Sequence, residues 1–428
     1  MNALTLKDNI LSGALDVRFS KLYGSDESAL ARQRARYAAL IDEFASRYGE
    51  DRDIALFSVP GRSELSGNHT DHNHGCVIAG SIDLDIIAVA AKNEDNVIRI
   101  KSEGFPEDVV DTDVFNTPDE ARFGKSDALI AGVADGFRCR GFKAGGYDAC
   151  TTSSVLKGSG ISSSAAFEDM IGNILNHIFN EGKIDNVEIA KIAQYAENVF
   201  FGKPCGLMDQ MACAVGGIVA IDFADPKCPV INKLDMDISG AGYNLCITNT
   251  GGNHADLTED YASVPAEMKE IAAYFGKSVL RDLEEENFVA SIPLLRGKYS
   301  DRSILRALHF FAENRRVGEQ TEALANGDLD AFFANVIASG RSSYCYLQNV
   351  YTTKNVAEQG LSLALCLSER QLSGKKAAWR VHGGGFAGTI QAFVPTNDVP
   401  AYREAMDAAF GAGACMVLRI RPVGAIKL

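Results

Sequence analysis

The segment KGSGISSS, residues 157–164, connects a predicted strand at 147–155 to a predicted helix at 165–179. Its glycines let the backbone turn tightly, and free N–H groups at a helix start attract anions. The three consecutive hydroxyls of residues 162–164 add hydrogen-bond donors and can offer a ligand to magnesium. An ordinary strand-to-helix loop with a serine N-cap gives the same pattern. The segment therefore leaves phosphate binding and a plain connection both open.

Two common nucleotide-binding motifs are excluded. The Gly-Lys-Ser tripeptides at Gly124 and Gly276 lack the earlier glycine that a Walker loop requires. The segment GGGFAG, residues 383–388, matches G-x-G-x-x-G, but residues 389–394 predict a strand where a dinucleotide-binding fold needs a helix. A glycine-rich hairpin beside a site, or simply a tight turn, explains it better.

The densest polar cluster is PGRSELSGNHTDHNHG, residues 60–75. Its three histidines and Asp71 invite a metal site, but their spacing fits neither H-E-x-x-H nor a zinc finger. A loop that hydrogen-bonds a hydroxylated ligand is the interpretation we favour, since its side chains alternate donors and acceptors. A solvated turn is the plain alternative.

A third polar element is AENVFFGKPCGLMDQ, residues 196–210. Glu197 lies among small apolar residues of a helix predicted at 187–201, so its carboxylate needs a partner. Asp209 follows a glycine-containing turn where another helix is predicted to begin. Taken alone, its position favours a helix N-cap over a catalytic carboxylate.

Composition excludes several classes of protein. The 428 residues carry 42 Lys and Arg against 56 Asp and Glu, a net charge of −14, which disfavours nucleic acid as a partner. The ten cysteines are scattered without a C-x-x-C pair, as reduced cysteines are. Lys7 and Asp8 interrupt the apolar stretch that a signal peptide needs, and no apolar run spans a bilayer. We expect a cytoplasmic protein with no membrane partner.

The order of predicted elements favours two α+β domains, because strands and helices mix in both halves without regular β-α-β alternation. A helix is predicted at 26–48, and a strand at 54–59 that Pro60-Gly61 ends. The best boundary is Asp-Pro-Lys at 225–227. We therefore predict an N-terminal domain at 1–224 and a C-terminal domain at 225–428.

Together, the motifs resemble the galactokinase family, in the galactokinase, homoserine kinase, mevalonate kinase and phosphomevalonate kinase superfamily. Residues 60–75 are similar to its signature P-G-R-V-N-L-I-G-E-H-T-D-Y-N-G-G, and Gly158 to Ala165 match G-x-G-L-S-S-S-A. Residues 383–388 match G-G-G-F-G-G with one change, and 205–210 nearly match C-G-I-M-D-Q. The resemblance covers nearly the whole chain, and four ordered motifs at family-like spacing make it specific.

The resemblance implies an α+β, two-domain small-molecule kinase fold. Its N-terminal domain would be like domain 2 of ribosomal protein S5, and its C-terminal domain would be ferredoxin-like. The implied activity is phosphorylation of the anomeric hydroxyl of a galactose-like sugar, with ATP as co-substrate and Mg²⁺ as cofactor. The partners would be a small sugar and ATP, and we expect a monomer.

The resemblance also assigns roles to residues. Asp209 would take the proton from the 1-hydroxyl, and Arg62 would orient Asp209 and stabilise charge on the transferring phosphoryl group. The residues expected to bind the sugar are Asn68, His69, Asp71, Gly206 and Tyr261. Those expected to bind the nucleotide are Gly158, Ser159, Gly160, Ser162, Ser163 and Ser164. Magnesium would be held by Ser164, or its neighbour Ser163, and by Glu197.

Departures from the family pattern concern the far end of the sugar. Asn68 replaces a glutamate that reaches the sugar near its C6 hydroxyl, and Glu64 replaces an asparagine. A sugar hydroxyl that loses its hydrogen bond to a charged acceptor loses about 1.5–3 kcal/mol of binding free energy. A uronic acid carries its own carboxylate at C6, so the absence of the glutamate removes a like-charge repulsion for it. Galactose is the expected substrate, with galacturonate, L-arabinose or N-acetylgalactosamine as alternatives. A non-catalytic galactose/ATP sensor is disfavoured, since Arg62, Asp209 and Glu197 are all present.

Overall fold

The computed structural model describes residues 1–155, 161–203, 205–252 and 257–428. The α-helices in these ranges are α1 Ala3–Leu11, α2 Asp16–Tyr23, α3 Glu27–Tyr48, α4 Ser126–Cys139, α5 Ser163–Phe179, α6 Asn186–Tyr195, α7 Met208–Val215, α8 Thr258–Tyr274, α9 Glu285–Leu295, α10 Asp301–Ala325, α11 Leu329–Ser342, α12 Gly360–Leu372 and α13 Val399–Phe410. The strands are β1 Ala55–Ser66, β2 Cys76–Lys92, β3 Val97–Ser102, β4 Glu107–Asp111, β5 Tyr147–Ser153, β6 Ile218–Asp222, β7 Val230–Leu234, β8 Tyr243–Asn249, β9 Ala378–Val381, β10 Thr389–Pro395, β11 Cys415–Leu418 and β12 Ile426–Lys427.

The chain forms two compact units, each assembled from separate segments. Unit 1 comprises Met1–Arg62, Ser81–Gly217 and Arg421–Leu428, and unit 2 comprises Ser63–Gly80 and Ile218–Ile420. Strands β1 and β2 each contribute residues to both units. The continuous domains predicted at 1–224 and 225–428 stay a prediction.

In unit 1 the strands follow the order β12-β1-β2-β5-β3-β4. Strand β3 runs parallel to β5 and antiparallel to β4, and β2 runs antiparallel to β5. Helices α5, α6 and α7 pack on one another, and α4 packs on α5 and α6. Helix α5 is buried along most of its length, as a helix packed on several sides must be. Its N-terminus is thereby fixed beside α7.

The N-terminal helices of unit 1 share a core with its strands. Tyr37 and Phe44 of α3 are fully buried in a cluster with Ile87 of β2. Helix α3 begins after Asp26, whose side chain accepts a hydrogen bond from the N–H of Ala29 at 2.9 Å. The helix predicted at 26–48 is thus confirmed, because the capping residue and the apolar periodicity agree.

A buried charge cluster ties distant segments of unit 1 together. Asp85 of β2 is fully buried and accepts hydrogen bonds from Arg36 of α3 at 2.6 Å and from Arg421 at 3.2 Å. The hydroxyls of Tyr23, at 2.5 Å, and of Ser58 also donate to it. Burial raises the pKa of Asp85, but the two arginines and two hydroxyls outweigh burial and lower it below its ordinary value. The carboxylate of Asp85 is therefore ionised, with its charge balanced inside the cluster.

Unit 2 contains a four-stranded antiparallel sheet in the order β11-β8-β10-β9. Helices α8 to α12 lie between β8 and β9 in the chain, and α13 lies between β10 and β11. The connectivity is β-α-β-β-α-β with the fourth strand beside the first, which is the ferredoxin-like arrangement. The predicted ferredoxin-like fold is confirmed. Residues 76–80 of β2 pair with β6, which pairs with β7.

The predicted end of a strand at Pro60-Gly61 is wrong, since β1 continues to Ser66. Here the N–H of Arg62 donates to the carbonyl of Ile161 at 3.2 Å. A Cβ at Gly61 would lie 2.7 Å from that carbonyl oxygen. Pro60 lacks one backbone N–H donor, and Gly61 has no Cβ that would clash with the backbone of Ile161. The chain can therefore stay extended through both residues. This extension carries Arg62 toward α5 and α7.

None of the helices in the described ranges is both long enough and apolar enough to cross a membrane.

Candidate active site

Arg62 and Asp209 form a bidentate ion pair in unit 1. Arg62 Nε donates to Asp209 Oδ1 and Nη2 to Oδ2, both at 2.7 Å. Arg62 comes from β1, and Asp209 lies in the first turn of α7. The exposed fractions of the two side chains are 10% and 34%. The pair is thus held rigidly, with the aspartate still open to solvent.

Ser162 adds a third donor to this carboxylate. It precedes α5 with a φ of +59°, and its hydroxyl donates to Asp209 Oδ2. Neither Ser162 nor Asp209 caps its helix: the residue preceding α5 makes no side-chain cap bond, and the cap position of α7 is Leu207. The alternative that these residues are only helix caps therefore fails.

The charge of Asp209 is stabilised by these neighbours. Burial raises its pKa, but the guanidinium of Arg62 and the hydrogen bonds from Arg62 and Ser162 lower the pKa below its ordinary value of 3.8. The carboxylate is consequently ionised throughout the neutral range and accepts hydrogen bonds only.

A second carboxylate group lies around Gln210, the residue after Asp209. Gln210 Nε2 donates to Glu197 Oε2 at 2.8 Å and to Glu168 Oε2 at 3.1 Å. Glu197 is 2% exposed in a π-helical turn at Ala196–Phe200, and Lys203 pairs with its Oε1 at 2.8 Å. Glu197 thus has the partners that its burial requires.

Glu168 is a member of this group that sequence reasoning missed. It is fully buried, and burial, then the charge of Glu197, raise its pKa well above 4.5. The available signal was an adjacent acidic pair, Glu168-Asp169, inside an otherwise apolar helical pattern. Glu168 Oε1 has no hydrogen-bond partner among the described residues.

Oxygen donors suited to magnesium are present in unit 1. Mg²⁺ prefers carboxylate and hydroxyl oxygens, which Glu197 and Ser164 supply, and Glu168 adds the buried oxygen without a partner. Ser163 and Ser164 open α5 and are partly exposed. The chemistry of these oxygen atoms fits the ion.

Three residues predicted to bind the nucleotide, Gly158, Ser159 and Gly160, lie outside the described residues. Gly206, predicted to bind the sugar, is exposed just before α7.

In unit 2, a tight turn follows β1. Gly67 has a φ of +90°, and a Cβ there would lie 2.5 Å from the carbonyl oxygen of Cys76. His69 has a φ of +58°, which is rare for a residue with a side chain. The Thr70 hydroxyl lies 2.9 Å from the Gly67 carbonyl and 2.7 Å from the Cys76 carbonyl, so its single hydrogen is shared between these two acceptors. Asp71 begins a short 3₁₀ turn, Asp71–Asn73.

The side chain of Asn68 lies at the centre of an internal network. It is fully buried. Its Nδ2 donates to Glu64 Oε1 at 3.1 Å and to the Gly383 carbonyl at 2.7 Å. Its Oδ1 accepts from Ser343 at 3.2 Å and Asn349 at 2.8 Å. A carboxamide has two donors and two acceptor positions, so Asn68 has no capacity left for a sugar hydroxyl.

Glu64 is neutralised by a buried arginine. Arg380 is fully buried, and its Nη2 donates to Glu64 Oε1 at 2.9 Å. Its Nη1 donates to the Leu65 carbonyl at 3.1 Å. The carboxylate at position 64 and the amide at position 68 therefore form one unit with Arg380. Sequence reasoning noted both departures but not this arginine.

His69 and Tyr261 both contact the glycine-rich hairpin that joins β9 to β10. His69 Nε2 lies 2.9 Å from the Gly384 carbonyl, and the Tyr261 hydroxyl donates to the Gly385 carbonyl at 2.9 Å. Burial raises the pKa of Tyr261 to about 12. The strand β10 after this segment confirms the hairpin and excludes a dinucleotide-binding turn.

The histidines do not form a metal centre. Among the described residues, no three His, Cys, Asp or Glu side chains are grouped to hold a metal ion. The rings of His69 and His72 are 5.7 Å apart between centroids. His72 Nδ1 accepts a hydrogen bond from Asn73 at 2.9 Å. Burial lowers the pKa of His72 well below its ordinary value, so it is neutral.

Comparisons with known proteins identify the family of this chain. Residues 42–92 match the family model of the galactokinase galactose-binding signature, and residues 128–217 match that of the GHMP kinase N-terminal domain. A galactokinase of Glaesserella parasuis serovar 5 (strain SH0165) is 31% identical over 370 residues, covering 85% of this chain and 90% of the relative. One of Streptomyces coelicolor is 28% identical over 382 residues, covering 89% and 94%.

Solved structures show the same fold. Lactococcus lactis galactokinase complexed with galactose superposes with a TM-score of 0.76 at 25% identity, covering 92% of this chain and all of that one. A mevalonate kinase superposes with a TM-score of 0.60 at 13% identity, covering 85% of this chain and 98% of that one, which shows the fold alone. With an identity above 30% over most of both sequences, the chain belongs to the galactokinase family of sugar kinases.

Proposed function

We propose that the protein transfers the γ-phosphoryl group of ATP to the anomeric hydroxyl of galactose, which gives galactose 1-phosphate and ADP. The observation that carries this proposal is the carboxylate of Asp209, fixed by Arg62 and Ser162 and still partly open to solvent. Such a group can accept a proton from a hydroxyl at a defined position. Family membership supplies the sugar and the phosphoryl donor.

Asp209 acts as the base in this proposal although its pKa is low. Phosphoryl transfer passes through a loose transition state, in which catalysis depends on position and charge more than on a strong nucleophile. The proton therefore needs a well-placed acceptor when the new bond forms, rather than a strong base beforehand. Arg62 holds that acceptor in place and adds positive charge beside the transferring group.

The other roles follow the family pattern. We propose that His69, Asp71, Gly206 and Tyr261 bind the sugar, whereas Asn68 shapes the turn from within because its carboxamide is fully used. The segment from Gly158 to Ser164 would bind the phosphates through backbone N–H groups. Ser164 and Glu197 would hold Mg²⁺, which neutralises negative charge on the phosphates when bound.

The experiment that tests this function is the release of ADP from Mg-ATP with a panel of sugars. The panel contains galactose, galacturonate, L-arabinose, N-acetylgalactosamine and a blank without sugar, and the Asp209→Asn variant serves as the control. We expect turnover with galactose that the variant loses. Turnover with another sugar alone would keep the mechanism and replace the substrate. No turnover with any sugar, despite detectable sugar binding, would contradict catalysis and indicate a sensor.

A further inference from the structure

One face of helix α10 supports the turn that follows β1. His309, Phe310, Glu313 and Asn314 lie on this face, since residues four apart on a helix are neighbours. Phe310 packs against Gly75, where an added Cβ would be 3.0 Å from its ring, and Asn314 Oδ1 accepts from the N–H of Cys76 at 2.7 Å. These two contacts fix the far side of the turn. The other two residues, His309 and Glu313, contact the part of the turn immediately before His69.

Glu313 accepts hydrogen bonds from the peptide groups at the start of the turn. Its Oε1 is 3.2 Å from the N–H of Gly67 and 3.5 Å from that of Asn68, and the Ser339 hydroxyl donates to it at 2.5 Å. Its Oε2 pairs with Arg316. The side chain is fully buried. Removing this buried carboxylate would leave these donors without an acceptor.

The ionisation of Glu313 agrees with this role. Burial raises its pKa, but Arg316, Arg380, the Ser339 hydroxyl and His309, which is protonated at the acidic pH where Glu313 titrates, outweigh burial and lower the pKa to about 2. The carboxylate is therefore ionised throughout the neutral range.

His309 supports the same turn from its carbonyl side. Its Nε2 lies 2.9 Å from the Asn68 carbonyl, and its Nδ1 lies 2.8 Å from the Ser342 hydroxyl. A carbonyl only accepts, so Nε2 carries the hydrogen and Nδ1 accepts from Ser342. Burial lowers the pKa of His309 to about 4, so the ring is neutral at pH 7. Both peptide groups of Asn68 are thus bound from α10.

These contacts explain how His69 keeps its unusual backbone. A non-glycine residue at a φ of +58° is strained, and such strain persists only where surrounding contacts determine the conformation. The residue immediately before it, Asn68, is held at its N–H by Glu313 and at its carbonyl by His309. Strained residues of this kind occur at ligand-binding positions.

We propose that His309 and Glu313 are positioning residues for the sugar: they hold the Gly67–His69 turn so that His69 and Asp71 face the sugar hydroxyls. This inference rests on the proposed function. Neither residue contacts the sugar itself. Their loss should weaken sugar binding and leave nucleotide binding and the transfer step intact.

The test compares four variants by steady-state kinetics. Glu313→Gln keeps the shape but loses the charge and turns an NH₂ group toward Arg316, and His309→Leu removes the donor to Asn68. His309→Gln restores a donor, and Gln320→Leu is a matched control at a fully buried position of the same helix. We expect the galactose KM to rise at least about tenfold, or about 1.4 kcal/mol, in the first two variants. The KM for ATP and kcat should stay near the wild-type values, and His309→Gln should recover much of the loss.

Amide hydrogen exchange across residues 66–70 gives a readout that needs no substrate. In Glu313→Gln the amide hydrogens of Gly67 and Asn68 should exchange faster than in the wild-type protein. In Gln320→Leu their exchange rates should be unchanged. An unchanged galactose KM would overturn the proposal, and so would unchanged exchange. A parallel loss of kcat, ATP affinity and melting temperature would also overturn it, because it indicates a general folding role. A wild-type protein inactive on galactose would contradict the proposed function instead, while the exchange result still decides whether Glu313 holds the turn.

Discussion

Arg62 binds both carboxylate oxygens of Asp209 through two of its nitrogens, each at 2.7 Å. The two residues are 147 positions apart in the chain, and the extension of β1 beyond Pro60-Gly61 is what brings them together. A fork of two parallel hydrogen bonds fixes the plane of the carboxylate as well as its charge. The remaining lone pairs of Asp209 are thereby aimed in a defined direction.

Replacing Asp209 by asparagine should nearly abolish turnover. The amide cannot accept the hydroxyl proton, and a positioned general base contributes about 10²- to 10⁴-fold to the rate. We expect kcat to fall within that range while nucleotide affinity, measured by calorimetry, is unchanged. Asp95→Asn, at an exposed pair with Arg99, is the control and should keep full activity. A near-normal kcat in Asp209→Asn would disprove the assignment of the base.

Removing the guanidinium of Arg62 should change the pH dependence of the reaction. The folded enzyme holds the pKa of Asp209 below 3.8, so this carboxylate stays ionised down to acidic pH. In Arg62→Met the stabilising charge is gone and the pKa rises, so protonation removes the base at a higher pH. The acidic limb of the pH profile of kcat/KM should therefore shift to higher pH, in addition to any fall in the maximum value. An acidic limb at the wild-type pH would show that Arg62 does not control the ionisation of Asp209.

The sequence predicted local structure better than it predicted partners. Helix α3 was correctly predicted because Asp26 and the apolar spacing are both local signals. The continuation of β1 could not be predicted, since the reason for a glycine at position 61 is the close carbonyl of Ile161, which only the folded chain brings there. The candidate site residues were predicted from motifs, and their roles stay predictions. Arg380 and Glu168 were missed because only the folded chain brings a buried partner to each of them.

Compared with the family pattern, this chain has its carboxylate at position 64 and its amide at position 68. We expect this exchange to determine which sugar is preferred. Asn68→Glu alone would place a second carboxylate against Glu64 and the Gly383 carbonyl in a fully buried position, so we expect it to destabilise the protein. The double variant Glu64→Asn/Asn68→Glu keeps one carboxylate within reach of Arg380 and avoids that repulsion.

The double variant should favour galactose over galacturonate, because the resemblance places the glutamate of position 68 near the C6 group of the sugar. The measurement is the ratio of kcat/KM for the two sugars, with Glu64→Gln as a control for loss of the charge alone. An unchanged ratio in a folded double variant would remove both positions from the specificity argument.

The buried cluster around Asp85 should dominate the acid stability of unit 1. Asp85→Asn leaves Arg36 and Arg421 without their buried counter-ion, and breaking such a pair costs about 3–5 kcal/mol of unfolding free energy. Asp95→Asn, at a surface pair, should cost at most about 1 kcal/mol. Urea denaturation at pH 7 measures both.

The pH dependence of this stability has a definite sign. The pKa of Asp85 is lower in the folded protein than in the unfolded chain, so its contribution is present above the unfolded value of about 3.9 and is lost as the pH falls below it. The wild-type protein should therefore lose more stability on acidification than Asp85→Asn does. Parallel losses in the two proteins would show that other carboxylates control acid unfolding.

The segment Arg421–Leu428 belongs to unit 1, although all of unit 2 after Ile218 precedes it in the chain. It supplies strand β12, paired with Phe57 and Ser58 of β1, and it supplies the guanidinium of Arg421 to the cluster at Asp85. During synthesis, the unit that contains Asp209 must therefore wait for residues made after most of the other unit has left the ribosome. A fragment that stops at Gly217 contains Asp209 and yet lacks the segment that completes its own core.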